Sequence, residues 1–364
     1  MSSVVRLGLS RVGACLGLLG LAGLGCGGPA DNVVDTLSAN TLSANTLSVN
    51  TLSVDTLSGV AVEAVESTTT VVVELPTVVV TYSALESVVS EIVGDAARVV
   101  VVIPNGTDPH DFEPSAKDVE VMSSAAVVVS NGLGLEARLE DALTDIGESG
   151  VPVFRITDHV TLRAGATDEH THGHSDSGHS DSEHSDSEHS DEDGEASDAE
   201  DPHVWLDPLT LAEAVPALAK EIGTRIGVDL TAAGSATAES LVALNSNIDA
   251  RIKELESCIV ITGHDSLGYF GARYGCEVLG SIIPSFSTAA EATAKDLAEL
   301  KQLAKTEGVR AIFTELGTPT DVADQLAREV GVEVVEIATH VVPDGGGYDE
   351  MMISLTDAIV SGLS

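Results

Sequence analysis

Eleven histidines punctuate a chain of 364 residues, and their spacing is uneven. Six of them, His170, His172, His174, His179, His184 and His189, crowd one acidic tract, while His110, His159, His203, His264 and His340 stand apart. Imidazole is largely neutral at pH 7 and offers a nitrogen lone pair to cations of the Zn²⁺ type. The separated histidines sit in distinctive surroundings. His110 lies in Pro109-His110-Asp111-Phe112-Glu113-Pro114, and His203 in Asp201-Pro202-His203-Val204-Trp205-Leu206-Asp207-Pro208 beside the only tryptophan. His264 lies in Thr262-Gly263-His264-Asp265-Ser266-Leu267-Gly268-Tyr269-Phe270, and His340 closes Ile337-Ala338-Thr339-His340. Three of these four follow apolar runs that read as strands, and side chains at the carboxyl ends of parallel strands face the crevice where α/β proteins bind ligands. Any one of them alone is more often a hydrogen-bonded histidine than a ligand. Their shared placement at strand ends in two separate parts of the chain is what favours a common cation.

Such a donor set suits Zn²⁺ better than Mn²⁺, which prefers oxygen and binds more weakly; copper and nickel also accept imidazole. Four neutral histidines would leave a charge of about +2 at a zinc site. Asp108, Asp265 and Glu315 are placed to offset it by holding imidazole N–H groups from behind. A catalytic zinc would need an open water position and a base, for which Glu315 or Asp265 are the candidates, but no HExxH helix or convincing Ser–His–Asp set accompanies them. A metal-buffering or adhesive surface lipoprotein is a third reading, in which the clustered histidines matter more than the separated ones. His159 reads as a hydrogen-bonded surface residue, and Asn131 and Glu136 as fixing a turn and a helix start.

The elements that must position these groups follow from the pattern of apolar residues. Residues 1–26 have Arg6 and Arg11, an apolar run Leu16–Leu24 and then Cys26, the layout of a secretory signal. The run is shorter than the ~20 residues a membrane span needs. Cys26 followed by two glycines is the expected lipidation site, with Cys15 as a rival. Residues 27–67 read as a tether, repeating with period five from Thr36 through Thr41, Thr46, Thr51 and Thr56. From residue 68 to 167 short β-branched runs alternate with helical spacing, which predicts a parallel sheet in an N-terminal α/β lobe. Residues 168–201, rich in His, Asp, Glu and Ser, read as a solvated loop able to touch metal weakly. Helical segments follow over 202–236 and 237–257, and a second α/β alternation fills 258–364. Cys258 and Cys276 each open a predicted strand of one βαβ unit, so their starts share an edge and a disulfide is expected, with two buried thiols as the alternative.

Composition narrows the partners. Seventeen Lys and Arg against 58 Asp and Glu give a formal charge of −41. Phosphate would be repelled, so a nucleic-acid binder is excluded, as is adhesion to anionic lipid through basic patches. With 43% hydrophobic but only 3% aromatic residues, the cores must be built from Val, Leu, Ile and Ala.

Taken together, these stretches resemble the metal-binding solute-binding lipoproteins that serve ABC importers for zinc and manganese, of the ZnuA/TroA type. The likeness runs from about Thr77 to the end and includes Asn131-Gly132-Leu133-Gly134-Leu135-Glu136, Ile312-Phe313-Thr314-Glu315 and Tyr348-Asp349-Glu350-Met351-Met352. It implies two α/β lobes joined by one long rigid helix within 237–257, with the metal held between the lobes. It implies His110, His203 and His264 as the three nitrogen ligands; manganese-type members tend to carry a carboxylate where His264 stands. The fourth ligand of many members is acidic and falls in a stretch aligned with Ala338–Val342, where this chain has His340. The same resemblance implies a monomeric, non-enzymatic protein, lipid-anchored outside the cytoplasmic membrane, that delivers Zn²⁺ to a permease with its cytoplasmic ATPase.

Overall fold

Valine-rich runs that are apolar throughout, rather than in alternation, behave as strands covered on both faces do. The computed structural model describes residues 46–50, 68–72, 74–163 and 200–364. Cys26 and its signal segment, most of the period-five repeats, and the six clustered histidines lie outside the described residues. Strand β1 (Thr46–Asn50) pairs antiparallel with β2 (Thr68–Val72). The stretch from Thr68, expected to open the first lobe, thus finds its ladder partner in β1, and Glu74–Ser364 forms a unit of its own.

That unit begins with β3 (Thr77–Tyr82), α1 (Ser83–Val93), β4 (Arg98–Ile103), α2 (Ala116–Ser123), β5 (Val127–Ser130), α3 (Glu140–Glu148) and β6 (Val153–Arg155). Two helices follow, α4 (Pro208–Ile226) and α5 (Thr231–Ile252). A second series comprises β7 (Ile259–His264), α6 (Gly268–Tyr274), β8 (Glu277–Ile283), α7 (Ala294–Glu307), β9 (Ala311–Glu315), α8 (Asp321–Val330), β10 (Glu333–Ile337) and α9 (Tyr348–Leu363). Each series makes a parallel four-stranded sheet, ordered β4-β3-β5-β6 and β8-β7-β9-β10. The two orders are the same: second, first, third, fourth. In each, the chain changes direction across the sheet beside its first strand, and the crevice at the carboxyl ends there is where such sheets bind ligands.

Helix starts are set by local chemistry. Asp207 accepts the Leu209 N–H at 3.0 Å and Pro208 occupies the first position of α4, where its missing N–H costs nothing. Ser115 with Asp118, and Thr293 with Asp296, form reciprocal capping boxes on α2 and α7. The connecting helix begins at Thr231, six residues before the expected boundary, and packs against α4, α1, α6 and α9. In turn α9 touches both β10 and α1, so two helices tie the lobes together. One continuous core runs through both, including Val79, Val128, Trp205, Leu244, Phe270, Phe313 and Met352; a smaller one around Ile261, Leu300, Ile312 and Leu326 backs the second sheet. Cys258 and Cys276 are joined by a disulfide with Cα atoms 4.6 Å apart, just before β7 and β8. Among the described residues no helix is long and apolar enough to cross a membrane.

Candidate metal centre

The first histidine is delivered by the turn after β4. Thr107 N–H closes on the Pro104 carbonyl at 3.0 Å, and the Asp108 carboxylate accepts the backbone N–H of His110 at 2.9 Å, which fixes the bend carrying the ring. His203 arrives on the loop before the short 3₁₀ turn Val204–Leu206, and that loop is moored to the first sheet. Asn131, at the end of β5, donates through its side chain to the Pro202 carbonyl at 2.8 Å. Asn131 is itself held by Tyr82 at 3.1 Å and by the Glu136 carboxylate, which accepts the Asn131 N–H at 2.9 Å and the Thr81 hydroxyl at 2.5 Å. His264 is the last residue of β7 and His340 follows β10.

Three rings meet. The ligating atoms of His110, His203 and His264 lie within 4.8 Å of one another, and all three residues are buried. His203 Nε2 and His264 Nε2 stand 3.1 Å apart, and the His110 ring centroid is 5.5 and 5.4 Å from theirs. His203 Nδ1 faces Asp201 Oδ1 at 2.8 Å, and His264 Nδ1 faces Glu315 Oε1 at 3.0 Å. Each carboxylate thus stands behind a ring and leaves its Nε2 aimed at the common centre, the arrangement by which carboxylate–imidazole pairs orient metal ligands. Glu315 is braced by the Ser266 hydroxyl at 2.9 Å. It reaches His264 across Gly263, where a Cβ would lie only 2.3 Å from Glu315 Oε2.

His340 is buried beside this group but outside the set of three, its Nδ1 3.2 Å from the Thr339 hydroxyl. Of the three expected supporting carboxylates, only Glu315 backs a ring. Asp108 instead holds the His110 backbone and accepts the Thr288 hydroxyl from the other lobe at 2.5 Å. Asp265 is fixed through its own N–H to the Ser285 carbonyl. His159 is exposed and stacks on Phe154 with centroids 4.3 Å apart, far from this chemistry. Asp201, which backs His203, was not singled out from the sequence, although its place two residues before the histidine was the available signal.

Charge at the centre is unevenly tuned. Burial, together with the neighbouring His203, His264 and His340, pushes the His110 pKa down to about 2. Burial also opposes charge on His264, but Glu315, aided by Asp108 and Asp265, outweighs it and holds the pKa above the ordinary value. Burial would raise Glu315; the facing His264 outweighs it and brings the carboxyl below its ordinary value. Burial lowers His340 as well, against the pull of Asp108 and Glu315.

Two parallel sheets that present their carboxyl ends to a shared cleft, with rings from both lobes converging there, define a two-lobed solute-binding protein. Residues 78–362 match the family described as zinc-uptake complex component A, periplasmic, and the chain belongs to that family. A protein of Treponema pallidum (strain Nichols) described as metal-binding is 33% identical over 72% of this chain and 78% of its own length. The high-affinity zinc uptake system protein ZnuA of Bacillus subtilis (strain 168) is 28% identical over 79% of this chain and 87% of its own. Against the zinc-binding protein AdcA of Streptococcus pyogenes, the chain spans about half of the relative's length (50%). Among solved structures, the periplasmic zinc-binding protein TroA of T. pallidum superposes with a TM-score of 0.64 at 23% identity, over 80% of this chain and 99% of that one, a likeness of fold.

Proposed function

We propose that this protein is the extracytoplasmic component that captures Zn²⁺ for an ABC importer, with the ion held in the cleft by His110, His203 and His264 and delivered to a permease and its ATPase. The observation that carries the reading is the pair of Nε2 atoms, contributed by opposite lobes, 3.1 Å apart and each backed by a buried carboxylate. Nitrogens of a tetrahedral zinc at about 2.0–2.1 Å stand roughly 3.3 Å from one another, so the rings need only a small adjustment. An all-nitrogen set disfavours Mn²⁺. His340 is the proposed fourth donor: it lies beside the three and burial keeps it neutral. The relatives named above as zinc-binding or zinc-uptake proteins support the same cargo.

The role is binding rather than catalysis. A hydrolytic zinc needs a free base near an open position, whereas Glu315 is committed to His264 and Ser266. Cys26 as a lipid anchor would keep the protein at the membrane as a monomer. His170, His172, His174, His179, His184 and His189, which lie outside the described residues, would serve as weak collectors of the same cation through their imidazoles.

Titration calorimetry tests this reading. One tight zinc site is expected, weakened by at least about 10-fold, or 1.4 kcal/mol, in each of His110→Ala, His203→Ala and His264→Ala. Unchanged affinity in all three would refute it.

A further inference from the structure

The carboxylate behind His203 is itself held in place. Asp201 is 0% exposed. Its Oδ1 accepts the His203 backbone N–H at 3.0 Å and faces ring Nδ1 at 2.8 Å, while Oδ2 accepts the Arg163 guanidinium at 3.1 Å. A buried carboxylate engaged at both oxygens cannot turn away without stranding a charge in a poorly solvated place. Asp201 therefore stays where Arg163 puts it.

Arg163 is anchored from the opposite lobe. Its backbone N–H donates to the Tyr269 hydroxyl at 2.9 Å, and its guanidinium carbon lies 5.9 Å from the Tyr269 ring centre, within range of a cation–π contact. The ion pair passes directly over Gly268, where a Cβ would lie 2.0 Å from the Arg163 guanidinium and 2.5 Å from Asp201 Oδ2. Gly268 and Tyr269 open α6, the helix that follows His264. A line of contacts thus runs from the His203 ring through Asp201 and Arg163 to the helix beyond His264.

We infer that Arg163 is a positioning residue for the metal. Acting through Asp201, it holds His203 in the Nδ1–H tautomer with Nε2 turned to the cleft, and it keys that orientation to the docking of the lobes at Gly268 and Tyr269. This rests on the zinc reading above. Without Arg163, Asp201 keeps one partner and the His203 ring becomes free to place its N–H toward the ion, where it cannot ligate. The same failure follows if a methyl group at position 268 displaces the guanidinium.

Two readouts test it. Long-range ¹H–¹⁵N spectra of the zinc-free protein report the His203 tautomer, and chelator competition reports zinc affinity and release. Wild type is expected to show the Nδ1–H form alone. Arg163→Ala and Gly268→Ala should each mix the tautomers and weaken zinc by about 10-fold. Arg163→Lys should restore most of both, and the double variant should be no worse than the poorer single one. Thermal melts of the zinc-free proteins identify misfolding; if Arg163→Ala does not fold, Gly268→Ala and Arg163→Lys carry the test. An unaltered tautomer with unaltered zinc affinity in Arg163→Ala and Gly268→Ala overturns the inference, as do equal losses with Lys and Ala at position 163. Should His203→Ala itself leave zinc binding intact, the metal-site reading fails instead, and the zinc-free spectra still decide the role of Arg163.

Discussion

At the scale of single residues, the centre combines rings of different proton affinity. His110, held at about 2, carries no proton near neutrality, so it is always ready to bind a cation. His264, held above the ordinary value by Glu315, takes up a proton more readily, and a proton on its Nε2 must leave before a cation binds there. The sign follows for affinity: zinc binding should weaken as pH falls through the raised His264 pKa, with up to about one proton released per ion across that range. Calorimetry in buffers of different ionisation enthalpy measures that proton count. Glu315→Gln removes the charge that favours protonated His264 and should reduce the release; a zinc affinity that does not fall as pH falls through that range would contradict the account. The same shifts act on folding. The stabilisation from His264 is present below the unfolded pKa near 6.5 and is lost as pH rises through its higher folded value, whereas that from His110 is present above about 6.5 and is lost as pH falls toward 2.

At the scale of elements, each histidine of the centre is placed by the end of a strand or by a hydrogen-bonded turn, and one glycine admits the carboxylate that faces His264. Gly263→Ala puts a Cβ 2.3 Å from Glu315 Oε2 and should drive that side chain from the ring. Zinc affinity should then fall by about 10-fold, as chelator competition would detect, while the zinc-free protein keeps its fold by circular dichroism; unchanged affinity would show that Glu315 does not act through His264. Much at this scale was legible in the sequence. β-branched runs such as Thr77–Thr81 are local, and they were enough to read both sheets and the strand-end histidines. Strand β8, opened after Cys276, continues to Ile283 because the ladder passes a bulge: Val260 pairs with Val278 and Ile261 with Gly280, leaving Leu279 without a partner. The contacts of Arg163 with Asp201 and Tyr269, and of Thr288 with Asp108, were not legible, since each joins segments far apart in the chain.

At the scale of the molecule, the lobes are locked by more than the linking helix. Asn105 exchanges two hydrogen bonds with the Val342 backbone at 2.7 and 2.8 Å, Trp205 donates to the Thr339 carbonyl at 2.7 Å, and Arg273 grips Asp207 through three contacts of 2.6 to 2.8 Å. The buried core also continues across the junction through Trp205, Tyr348 and Met352. Such a body sets the two Nε2 atoms 3.1 Å apart, close to the spacing a cation requires. Crystals grown with one equivalent of Zn²⁺ and measured on both sides of the zinc absorption edge test this most directly. A single dominant peak bonded to Nε2 of His203, Nε2 of His264 and a ring nitrogen of His110 is the predicted result; a peak lying elsewhere, or one in the cleft ligated by none of these rings, would contradict it.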